Sequence, residues 1–110
     1  MEENKSIEQY AFELIAYAGD ARSSAFNALY AAKKGKFDEA KLLLEKCKES
    51  TIMAHKIQTE ILTSEAGGSK FDINVLFVHA QDHLMTSMLA KELIEDMIDI
   101  RKELDKLKNK

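Results

Sequence analysis

The chain contains no proline and only four glycines among 110 residues. A β-rich domain of this size must reverse direction many times and draws on those residues for its turns, so the shortage points to long helices. Three of the glycines fall at two places, Gly35 and the pair Gly67-Gly68, and divide the chain into three long periodic stretches. The spacing predicts helices over roughly 7–34, 37–65 and 74–107, forming an all-α, antiparallel three-helix bundle with short loops. At 1.5 Å per residue each helix would run about 40–50 Å. A chain of this length supports one core, so residues 1–110 read as a single domain.

Helix ends carry recognisable signals. Ser6-Ile7-Glu8-Gln9 matches the Ser-x-x-Gln capping box, and Gly35 stands where a C-terminal cap is expected. Asp38 and Glu39 suit the positive end of the second helix, although Lys36 is poor N-cap chemistry. Asp72 or Asn74 is the expected cap of the third.

Charge and cysteine content exclude several functions. With 16 basic and 19 acidic residues the net charge is −3 and no basic block occurs, a poor basis for nucleic-acid or anionic-membrane binding. No uncharged apolar run reaches about 18 residues, so no membrane insertion is expected. Met1-Glu2-Glu3-Asn4-Lys5 does not begin a secretory signal, and the lone Cys47 cannot form an internal disulfide. A cytoplasmic protein is expected.

Ile7, Ala11, Leu14, Ala18, Ala21, Ala25, Ala28 and Ala32 alternate steps of four and three, an alanine-rich seam that implies close helix approach. Phe37, Ala40, Leu44, Cys47, Thr51, Ala54, Gln58 and Ile61 repeat the spacing, which makes Cys47 a small core residue before a nucleophile. Gly19 interrupts the first helix, either because a neighbour passes close by or as a tolerated weakness.

Helix 3 is apolar on more than one face. Leu76, Ala80, Leu84, Ser87 and either Met88 or Leu89 can face the other helices. A second stripe runs through Val78, Asp82, Met85, Leu89, Leu93, Met97, Ile100, Leu104 and Leu107. One seam per helix suffices for a single subunit, so the surplus stripe predicts self-association through helix 3. Asp82 is the discordant residue on that stripe.

The chemistry gathers around His79. Helical geometry projects His79, Asp82, His83 and Thr86 from one side within two turns. A solvated polar patch is the plainest reading, but it leaves the acidic residue on an apolar stripe unexplained. A zinc site is superficially suggested by His79-x-x-Asp82-His83, yet the glutamate base and a third protein ligand are not evident. The third reading is a phosphoryl-accepting histidine. Neutral imidazole attacks through one nitrogen while the other is oriented, and a second histidine, an amide and a hydroxyl can stabilise the anion. If Asp82 is heptad position a, His79 is e and Gln81 is g, so in a parallel trimer His79 faces Gln81 of the next chain. The step pattern after Leu89 resembles a stutter, which confines this argument to the region around Asp82.

The string Val78-His79-Ala80-Gln81-Asp82-His83-Leu84-Met85-Thr86-Ser87-Met88-Leu89 resembles the active-site helix of enzyme IIA of the lactose/cellobiose/chitobiose family of the bacterial phosphoenolpyruvate-dependent sugar phosphotransferase system. Gly19-Asp20-Ala21-Arg22-Ser23 and Ala54-His55-Lys56-Ile57-Gln58-Thr59-Glu60 are similar to the family's patterns in helices 1 and 2, so the resemblance covers nearly the whole chain. It implies a phosphotransferase component with a phosphohistidine intermediate, which takes a phosphoryl group from the phosphocarrier protein HPr and passes it to a cysteine of enzyme IIB. The phosphohistidine falls on His79 by motif position, with Gln81 and His83 in support. The family's buried aspartate, which meets its symmetry mates in a homotrimer and can hold a metal ion, falls on Asp82. Oxygen ligands favour a hard divalent cation, magnesium being the one expected, while phosphotransfer itself requires no cofactor. His55 matches a position that is not the acceptor. Ala80 stands where lactose-type members tend to carry glycine, so the chain looks more like the cellobiose/chitobiose branch, serving uptake of a β-linked disaccharide. The alternative is a helical trimeric adaptor or regulatory relative that binds a partner without chemistry.

Overall fold

The structure is a computed structural model that describes residues 6–108. The expectation placed on Met1–Lys5 therefore lies outside the described residues. Three helices account for the fold: α1 (Ile7–Lys33), α2 (Phe37–Ala66) and α3 (Val75–Lys108). Among the described residues no helix is long and apolar enough to cross a membrane.

The boundaries follow from local hydrogen bonding. At the start of α1 the Ser6 hydroxyl accepts from the Gln9 amide at 3.2 Å, while Gln9 Oε1 accepts from the Ser6 amide at 2.8 Å, completing the capping box. The helix stops at Lys33, one residue short of the expected 34, because Lys34 is already the cap. Gly35, at φ 77°, turns the chain so that its amide reaches the Ala32 carbonyl and the Lys36 amide reaches Ala31, a Schellman arrangement. α2 ends through the same device one residue later than expected. There Gly68, at φ 104°, is the left-handed residue, with Gly68 and Ser69 amides bound to the Glu65 and Ser64 carbonyls. At α3 the side chain of Asn74 accepts from the Phe77 amide at 2.9 Å, so Asn74 and not Asp72 is the cap and the helix proper begins at Val75. The α2 start has no side-chain cap, in keeping with Lys36 at that position.

All eight residues of the α1 seam are buried, and α1 packs closely against both other helices, whereas α2 and α3 touch each other sparingly. Alanine is the reason: short side chains let the partners approach the α1 backbone from two sides. The core forms two clusters along this axis. One gathers Tyr10, Leu14 and Ala18 with Ile57, Ile61, Ala80 and Leu84; the other gathers Ala21, Ala25, Ala28, Ala31 and Ala32 with Ala40, Cys47, Ile94 and Ile98. In α2, Ala40, Cys47, Ala54 and Ile61 are buried as spaced, Phe37, Leu44, Thr51 and Gln58 are half-buried, and Ile57 joins the core. Tyr10 meets Phe71 edge-on at 5.9 Å near one end, and Arg101 donates to the Lys33 carbonyl at 3.0 Å near the other.

Candidate functional site

The inward line of α3 is drawn by Ala80 and Leu84, both essentially fully buried against α1 and α2. Everything else about the site follows from helical phase. At about 100° per residue, His79 and His83 each lie one step to one side of that line, and Gln81 lies one step to the other. Val78, Asp82, Met85 and Leu89 point roughly opposite the core. The contacts agree. Nε2 of His83 lies 3.9 Å from where a Cβ on Gly19 of α1 would be, while Gln81 receives a hydrogen bond from Gln58 of α2.

His79 is exposed, and its ring contact among the described residues is with His83, at 6.0 Å between centroids and 52° between planes. His83 is half-buried, with Nδ1 3.4 Å from Oγ of the buried Ser87. An added Cβ at Gly19 would meet Nε2 of His83 at an ordinary contact distance, so the approach of α3 does not require a glycine there and Gly19 is a tolerated weakness in α1. Gln81 is half-buried, and its Oε1 accepts from Gln58 Nε2 at 3.0 Å. The Thr86 hydroxyl donates to the Asp82 carbonyl at 2.9 Å and lies 3.2 Å from that of His83. Its proton is thus engaged within α3, and the expected hydroxyl donor is not presented outward.

Asp82 is exposed, and its carboxylate takes no hydrogen bond or ion pair among the described residues. Around it the second stripe lies open: Val78, Met85, Leu89, Leu93, Met97, Ile100, Leu104 and Leu107 are between 46% and 66% exposed. Met88 turns to the core and Leu89 to the stripe, which settles the pair left open by spacing. Among the described residues no three His, Cys, Asp or Glu side chains converge on a metal position. Cys47 is fully buried, and burial pushes its thiol above the usual value, the Thr51 hydroxyl opposing the shift. His55 is exposed on α2, and its carbonyl accepts from Thr59 at 3.0 Å.

Two polar residues join this neighbourhood that sequence reasoning placed only on packing seams. They are Gln58, which reaches Gln81, and Ser87, which reaches His83. The available signal was a polar side chain in an otherwise apolar row, Gln58 between Ala54 and Ile61, Ser87 after Ala80 and Leu84. The surface grooves bordered by Ser6, Tyr10, Lys70 and Phe71, and by Asn27, Tyr30 and Glu39, do not have His79 in their walls. His79 stands on an open helix face.

An exposed histidine on an open helix face, beside a long exposed apolar stripe, is a geometry in which a second macromolecule can reach the imidazole. The family model described as "PTS system, Lactose/Cellobiose specific IIA subunit" matches residues 9–102, and the chain belongs to that family. It is 44% identical to the lactose-specific EIIA component of Lacticaseibacillus casei over 100% of this chain and 98% of that protein. Among solved structures it is similar to the cellobiose-specific enzyme IIA of Bacillus anthracis, with a TM-score of 0.89 and 47% identity over 94% of each chain. It is also similar to the IIA(chitobiose) structure solved in complex with HPr, from the N,N'-diacetylchitobiose branch of the Escherichia coli phosphotransferase system. There the TM-score is 0.79 and the identity 39%, over 93% of this chain and 99% of that one.

Proposed function

We propose that this chain, acting as one domain, is the phosphocarrier of its transport system and that His79 carries the phosphoryl group. A ring nitrogen of His79 attacks phosphorus on phospho-HPr, and the bond from phosphorus to the HPr histidine breaks as the new P–N bond forms. In the second step a cysteine thiolate of enzyme IIB attacks the same phosphorus and the imidazole leaves. The observation that carries this reading is the exposure of His79 on the family's motif, with no hydrogen bond or ion pair among the described residues occupying its ring. An attacking imidazole needs a free lone pair and access for a second protein, and this position supplies both. The likeness to a IIA(chitobiose) structure solved with HPr supports HPr as donor. His83 stands beside His79 to support the bound anion, and Cys47 is withdrawn from the chemistry by burial.

In this reading the up–down–up, antiparallel bundle assembles as a homotrimer through the open stripe of α3. Pairing of Tyr10 with Phe71 at one end and Arg101 with Lys33 at the other supports the course of the helices. A row of eight large apolar side chains left half-exposed on one helix supports the assembly. Each site then forms between chains, His79 of one beside Gln81 of the next. Three Asp82 carboxylates meet on the axis, where like charges repel, and their oxygens fit a hard divalent cation such as magnesium. When bound, the ion offsets part of that charge; the transfer runs through His79. Ala80 after His79 supports a β-linked disaccharide of the cellobiose/chitobiose type. The 44% and 47% identities to the lactose and cellobiose relatives are too close to add weight to either sugar.

The test is incubation with phosphoenolpyruvate, enzyme I and HPr. A carrier acquires an acid-labile phosphoryl group and loses it on addition of enzyme IIB. A chain that is never labelled is an adaptor, and the proposal fails.

A further inference from the structure

We propose that Gln58 is a positioning residue for phosphotransfer: by donating to Oε1 of Gln81 it turns the Gln81 amide nitrogen toward the phosphoryl site. The proposal rests on the between-chain site described above. The observation is the 3.0 Å hydrogen bond from Gln58 Nε2 to Gln81 Oε1, which crosses from α2 to α3 where these helices otherwise touch little. Gln58 sits in the row Ala54, Gln58, Ile61, between two buried apolar residues, and is itself half-buried.

The chemistry explains why direction matters. A glutamine amide presents an acceptor at one end and two donors at the other. An anionic phosphoryl group is stabilised by N–H donors and repelled by a carbonyl oxygen. Left alone, the Gln81 amide can rotate to offer either end. With its oxygen held by Gln58, the nitrogen is the free end. Helical phase sets Gln81 about 200° from His79 of its own chain, so the group it serves is on the neighbouring chain. Gln58 touches neither phosphorus nor imidazole and acts through Gln81.

Three variants test this in the full-length protein: Gln58→Glu, Gln58→Met and Gln81→Leu, with each Gln58 change also built on Gln81→Leu. The readout is the equilibrium constant for phosphoryl transfer from phospho-HPr, with circular dichroism and sedimentation confirming fold and assembly. A carboxylate at position 58 only accepts, so Gln58→Glu reverses the Gln81 amide and should lower the constant about tenfold, the loss of one hydrogen bond to a charged group. Gln58→Met, which neither donates nor accepts, should lower it by a smaller factor, and it decides the matter if the glutamate variant does not fold. In the Gln81→Leu background both changes should have no further effect. The side-chain amide signals of Gln81 in a proton–nitrogen NMR spectrum should move on phosphorylation in the parent and remain in place in Gln58→Glu. An intact trimer in which the Gln58 and Gln81 effects simply add, or in which Gln58→Glu leaves the constant unchanged, overturns the inference alone. A monomeric parent overturns the between-chain site and the inference with it.

Discussion

Burial separates side chains that a partner can reach from those that only pack. His79 and Cys47 are both nucleophile types, and the structure treats them in opposite ways. His79 is exposed, whereas Cys47 is fully buried and its thiol is pushed upward by burial. That shift has a consequence for stability. The folded state holds the thiol proton more tightly than the unfolded chain, so the contribution is full below the ordinary value of 9.0 and is lost as pH rises above it. Cys47→Ala removes this term together with the sulfur. The variant should be less stable at neutral pH, by about 1 kcal/mol for the cavity, yet lose less stability than the parent between neutral and strongly alkaline pH. Denaturant midpoints at several pH values check it; parallel curves would show that the thiol is not linked to folding. The burial of Cys47 was legible in its spacing, because small residues recur there at helical intervals. The Gln58–Gln81 bond was not, since no local rule joins residues 23 positions apart.

At the scale of the element, α1 was the most readable part of the chain. One uninterrupted row of apolar residues at steps of three and four can face only one way, and every member of it is buried. α3 was harder for a physical reason: apolar residues on two faces leave the choice of core face to the partners. Ile94 and Ile98 enter the core, although spacing alone had drawn attention to the adjacent stripe through Leu93 and Met97. Caps show the same limit. Asp72 and Asn74 have similar capping chemistry, and only the path of the loop selects Asn74. The glycine pair gives a sharper test. Gly68 occupies the left-handed region and Gly67, at φ −82°, does not. Gly68→Ala should cost about 1 kcal/mol, whereas Gly67→Ala should be neutral or slightly stabilising. Thermal melts of the two variants distinguish them, and equal losses would contradict the assignment of the cap.

At the scale of the whole molecule the open stripe of α3 governs behaviour. α3 is 34 residues long against 27 for α1, and half-exposed apolar residues run along it past the Arg101–Lys33 contact to Leu104 and Leu107. A charge in the middle of that stripe should prevent assembly: Met85→Glu is expected to sediment as a monomer, while Lys91→Glu, off the stripe, stays a trimer. A trimeric Met85→Glu protein would place the interface elsewhere. Asp82 supplies the complementary test. In the proposed trimer, Asp82→Leu removes three carboxylates from the axis and relieves their repulsion, so it should melt higher than the parent and be indifferent to chelator. A trimer no more stable than the parent would reject the axial position. The central claim is that His79 carries the phosphoryl group. Labelling with phosphoenolpyruvate, enzyme I and HPr in the parent, His79→Gln and His55→Gln measures it directly. The account predicts labelling abolished in His79→Gln and nearly intact in His55→Gln; a His79→Gln protein that still takes up phosphate would contradict it.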